Sequence, residues 1–96
     1  MVAKGKILEL IRIHREEIER RFSVKRIGLF GSYVRGEAQK GSDIDILVEM
    51  EKPTFDNYME LKFYLEDLFG TEVDLVMADA VKPRLKAYID QEVIYA

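Results

Sequence analysis

Two stretches of this chain alternate aliphatic with acidic side chains, and only a strand gives that alternation a physical meaning. They are Ser42-Asp43-Ile44-Asp45-Ile46-Leu47-Val48 and Glu72-Val73-Asp74-Leu75-Val76-Met77. Successive strand side chains point to opposite faces. Asp43, Asp45 and Leu47 therefore share one face, and Ile44, Ile46 and Val48 share the other. In the second stretch Glu72, Asp74 and Val76 oppose Val73, Leu75 and Met77. The aliphatic rows must be buried against helices. The aspartates then fall on the opposite face, and adjacent strands would gather Asp43, Asp45 and Asp74 within a few ångströms.

The rest of the chain supplies those helices. Ile7, Ile11, Ile18 and Phe22 recur at helical spacing between charges, which predicts one amphipathic helix over Lys4–Phe22. Lys25–Phe30 reads as a first strand, Gly31-Ser32 as a turn, and Tyr33–Glu37 as a short helix. Asp43–Glu49 is a second strand. Pro53-Thr54 opens a long helix to Phe69, which Gly70 stops. Glu72–Met77 is a third strand. Pro83 begins a last helix to about Asp90, and Val93–Tyr95 forms a terminal strand. The expected fold class is α/β: a small mixed sheet with helices packed mainly on one face. The connections are too short for several full crossovers, so a wholly parallel sheet is not expected.

Composition narrows the classes available. The 96 residues make one domain, 1–96, and no linker or repeat divides them. Lys+Arg 15 against Asp+Glu 18 gives a net charge of -3, so no basic field draws the chain to nucleic acid or to a membrane. The basic cluster Arg20, Arg21, Lys25 and Arg26 reads as a solvated helix end, and His14 takes no role. There is no cysteine, which removes disulfides and thiolate zinc sites. Lys4, Lys6 and Glu9 interrupt any apolar leader, and a cytoplasmic location is expected.

Three carboxylates that close repel one another and raise each other's pKa. A cation removes the conflict, and oxygen-only donors suit Mg²⁺ or Mn²⁺, as one ion or two. Two ions could clamp both oxygens of an in-line displacement. Gly31 lets backbone approach a ligand closely. Ser32 can cap the short helix and offer a hydroxyl to phosphate oxygens. No Gly-Lys-Ser/Thr follows, so this is not a Walker A loop. A Gly-Ser turn alone, or an Asp-x-Asp alone, is weak evidence. Their ordered combination with a later acidic strand points to metal-assisted phosphoryl transfer.

Gly31-Ser32, ten residues, then Asp43-x-Asp45 resembles the signature of the polymerase β-like nucleotidyltransferase superfamily. The form Phe30-Gly31-Ser32-Tyr33-Val34-Arg35-Gly36-Glu37 is similar to its minimal nucleotidyltransferase (MNT) branch, and the likeness covers nearly the whole chain. It implies the polymerase β-like fold and a metal-dependent nucleotidyltransferase. Members typically bind an NTP with Mg²⁺ and release pyrophosphate. Many accompany a helical HEPN protein, and some are antitoxins that add AMP to a tyrosine of a HEPN toxin.

Carried onto this chain, the resemblance makes Asp43 and Asp45 metal-holding, and Asp74 the third acid, able also to accept the acceptor's proton. Gly31 and Ser32 would hold the β- and γ-phosphates. Arg35 would reach a phosphate or else pair with Glu37 or another acid, and Lys40 is a weaker phosphate candidate. Three readings follow: transfer of AMP from ATP to a HEPN-type partner, neutralisation of that partner by binding alone, and transfer to a small molecule with the acceptor held by a separate subunit. The catalytic face is expected to lie open, with no segment left to cover it.

Overall fold

The computed structural model describes residues 2–96. Two helices, α1 (Lys4–Ile13) and α2 (Arg15–Phe22), stand where the spacing predicts one. The break falls at His14, whose ψ of 8° ends α1. Its backbone N–H and its ring Nδ1 both reach the Leu10 carbonyl, at 3.1 and 2.9 Å. A side chain that shares a backbone acceptor in this way competes with the helical ladder. The apolar stripe survives the break, because Ile7, Ile11, Ile18 and Phe22 are all buried.

The remaining elements are β1 (Val24–Phe30), α3 (Ser32–Arg35), β2 (Ile44–Met50), α4 (Phe55–Phe69), β3 (Val73–Met77), α5 (Pro83–Glu92) and β4 (Ile94–Tyr95). A 3-10 turn at Ala78–Ala80 was not expected. Thr54 caps α4 by accepting the Asn57 N–H at 3.1 Å, which satisfies a donor that the helix cannot.

The sheet order is β3-β2-β1-β4. β1 pairs antiparallel with β2 and β4, and β2 pairs parallel with β3. The sheet is mixed because the β1–β2 connection carries only the four-residue α3 and returns antiparallel, whereas the β2–β3 connection carries α4 and crosses over to a parallel neighbour. One face carries Ile27, Leu29, Ile44, Ile46, Val48, Val73 and Leu75, buried against residues of α1, α2 and α4 such as Ile11, Phe22, Leu61 and Leu65.

The second face is not left open as expected. Leu47 is buried there with Ala78 and with Ile89 of α5, and Phe30, Val76 and Val93 pack around them. Pro83 places the start of α5 in the sequence, but nothing local places the helix over a face. β4 holds the end of α5 against β1, where Gly28 faces Tyr95. Gly28 is required for that approach, since a Cβ would lie 2.7 Å from Val93 Cγ2.

The basic cluster is largely spent on surface pairs: Arg20 with Glu16, Arg21 with Glu17 and Arg26 with Glu49. Among the described residues, no helix is long and apolar enough to cross a membrane.

Candidate active site

Strand register builds the site. Phe30 of β1 faces Asp45 of β2, and Asp45 faces Asp74 of β3. The three form one row across the sheet on the face opposite the main core. Gly31 follows Phe30 and turns the chain sharply above the row, with φ of 79°. A Cβ at Gly31 would strike the Asp45 carboxyl group. Glycine is needed here twice over, for its left-handed backbone and for the closeness of Asp45.

Asp45 carries the electrostatic signature of the row. Its carboxyl is pushed up from 3.8 to about 6, chiefly by burial. The charge and hydrogen-bonding contact of Asp74 add to this, then the charge of Asp43, while Arg35 pulls the other way. Two carboxylates in register on neighbouring strands cannot both ionise freely.

Asp43 stands near the pair, close enough for its charge to act on Asp45. It lies just ahead of β2 and is exposed. Asp45 and Asp74 line a cleft of about 290 Å³ with Gly31, Arg35, Tyr88 and Glu92. Asp43 and Asp74 line a second, polar cleft of about 420 Å³ with Tyr58, Lys62 and Glu72. Asp74 therefore borders both clefts and Asp43 only one. Among the described residues, no group of three or more side chains is arranged to hold a metal ion. The Asp45–Asp74 pair nonetheless fits Mg²⁺ in its chemistry. It offers oxygen acceptors only, and its mutual repulsion is unrelieved. Mg²⁺ commonly binds through one or two carboxylates plus substrate phosphates, without an all-protein cage.

The phosphate candidates divide. Gly31 stands at the N-cap of α3, the place expected for Ser32, and Ser32 is the first helical residue. Arg35 donates to Glu37 at 2.7 Å and to both carboxylate oxygens of Glu92 at 3.1 Å. Lys40 lies exposed in the loop that follows.

Glu92 itself escaped the sequence analysis. It ends α5, lies 61 residues from Gly31, and its Oε2 accepts the Gly31 N–H at 2.6 Å. An acid at a helix end has no local pattern that distinguishes it. Leu85 and Tyr88, one turn apart on α5, form the exposed apolar wall of the same cleft.

A mixed sheet thus carries a glycine turn over paired strand carboxylates at the mouth of a cleft. Residues 11–96 match the family described as nucleotidyltransferase domain. The protein adenylyltransferase MntA of Thermococcus cleftensis is 44% identical, over 99% of this chain and 97% of that protein. A solved structure provisionally assigned as a minimal nucleotidyltransferase superposes with a TM-score of 0.74 at 38% identity, over 91% of this chain and 93% of the other. A crystal structure of a toxin-antitoxin with AMP-PNP superposes with a TM-score of 0.72 at 26% identity, over 98% of this chain and 72% of the other. This chain belongs to the nucleotidyltransferase family, in its minimal form, and is an enzyme of nucleotidyl transfer.

Proposed function

We propose that this chain uses Mg²⁺ to transfer AMP from ATP to a hydroxyl, that of a tyrosine, on a HEPN-type helical partner, and thereby acts as an antitoxin. The observation that carries the reading is the Asp45–Asp74 pair set in register beneath the Gly31 turn. The relative named as a protein adenylyltransferase supports a protein acceptor. The similar toxin-antitoxin with AMP-PNP supports both an adenine nucleotide and a toxin partner.

In this reading the Gly31 N–H and Arg35 orient the phosphates, with Ser32 beside them. Asp45 and Asp74 hold Mg²⁺ delivered with the nucleotide, and Asp43 adds negative charge next to them. When bound, the ion neutralises phosphate charge and stabilises the transition state. Asp74 accepts the proton of the acceptor hydroxyl from its position between the two clefts. The acceptor oxygen bonds to the α-phosphorus, the bond from the α-phosphorus to its bridging oxygen breaks, and pyrophosphate departs. A partner must bring the hydroxyl in and exclude water.

The test is to incubate the chain with the protein encoded beside it, Mg²⁺ and each NTP in turn, and to measure intact mass. The expected result is an AMP adduct on the partner with ATP, lost in Asp43→Asn and Asp45→Asn chains. Neutralisation by binding alone predicts that an Asp43→Asn chain protects cells as well as the native one, with no mass change on the partner.

A further inference from the structure

The contact between α5 and the glycine turn has a chemistry that the reaction alone does not ask for. Glu92 places one carboxylate oxygen on the Gly31 N–H at 2.6 Å and both oxygens within 3.1 Å of Arg35 Nη1. These are the two donors on which the proposed function relies to orient phosphate. A carboxylate and a phosphate present the same feature to such donors, a pair of anionic oxygens. The Glu92 side chain is only 15% exposed, so its charge leans on these partners rather than on water.

We infer that Glu92 is a positioning residue that occupies the phosphate seat in the nucleotide-free protein and must leave it when a nucleotide binds. The inference rests on the reading of Gly31 and Arg35 as phosphate donors. Displacement does not require α5 to undock. Ile94 and Tyr95 stay paired with Leu29 and Gly28 of β1, and Ile89 stays buried against Leu47. A rotamer change of Glu92 suffices to clear the seat. Arg35 is then free to turn to the incoming phosphate, with Glu37 as its remaining partner. The device keeps both donors aligned before the substrate arrives. It also sets a threshold of affinity, since any anion must compete with a tethered carboxylate.

The experiment is calorimetric titration of ATP with Mg²⁺ into the native, Glu92→Gln, Arg35→Ala and doubly substituted chains, with thermal unfolding of each. Glu92→Gln keeps the shape and an acceptor for the Gly31 N–H but removes the charge. The expected result is tighter binding, on the order of tenfold for about 1.4 kcal/mol of lost competition. The gain should shrink or vanish in the Arg35→Ala background, and Glu92→Asp should restore competition in part. A purely structural staple predicts instead a lower Tm for Glu92→Gln with affinity unchanged or weaker. That result overturns the inference and leaves the nucleotide site intact. If neither the native nor the Glu92→Gln chain binds ATP, the nucleotide reading falls and the inference falls with it.

Discussion

Asp45 is held in the fold against its own preference for water. Its carboxyl protonates near pH 6 in the folded chain against an ordinary 3.8. The folded state therefore holds that proton more tightly than the unfolded one. Its stabilising effect is full below about pH 4 and is lost as pH rises through about 6. A shift of about two pKa units corresponds to roughly 3 kcal/mol, but Asp45 is partly open to solvent and screening leaves about 1 kcal/mol. An Asp45→Asn chain should thus be more stable than the native chain by about 1 kcal/mol at pH 7 and no more stable near pH 4. Urea denaturation at the two values checks this, and a variant less stable at pH 7 would contradict it. Transfer should be lost in the same variant. Gly31→Ala should behave oppositely. It adds a Cβ onto the Asp45 carboxyl at a backbone φ of 79°, and should cost about 1–3 kcal/mol while impairing nucleotide binding. Thermal unfolding and ATP titration measure both effects, and a chain of native Tm that binds ATP normally would show the turn to be roomier than described.

Among the elements, local sequence patterns located every principal strand and helix, yet folding changed two helix assignments and added a turn. The first helix breaks at His14 because the ring reaches back to Leu10, a contact that the 3.6-residue pattern does not encode. The Ala78–Ala80 turn is too short to have a period. The last helix runs two residues past Asp90, to Glu92, and those two residues carry the carboxylate that meets Gly31. The terminal strand depends on a single narrow approach. Gly28→Val should drive a side chain into Val93 and Tyr95 and cost about 1–3 kcal/mol through overpacking. Its sharpest readout is amide exchange at Ala96, whose N–H donates to the Ile27 carbonyl at 3.0 Å. Protection of that amide should fall more than protection in β2. Equal loss in both strands would mean that β4 does not loosen separately from the sheet.

For the molecule as a whole, ligand and fold should be linked through the paired carboxylates. In the proposed reaction Mg²⁺ and ATP together should relieve the repulsion at Asp45 and Asp74, and ligation that favours the folded state stabilises it by mass action. At a hundredfold excess over Kd the gain is about 2.7 kcal/mol. For a domain of 96 residues this corresponds to a rise in Tm of roughly 10–20 °C. ATP with EDTA should give a much smaller rise, and equal shifts in the two conditions would remove the metal from the account. The sequence by itself determined the strands, the aliphatic face of the sheet and the acidic row, because alternation and helical spacing are short-range patterns set by burial. It also carried the glycine turn, because a left-handed backbone selects its residue locally. Only the tertiary structure decided the rest. It set Asp45 and Asp74 side by side, with Asp74 bordering two clefts, laid α5 over part of the second face, and brought Glu92 to Gly31. Those outcomes depend on strand order and on contacts between residues distant in the chain, 61 positions apart for Gly31 and Glu92, which no local pattern of side chains encodes.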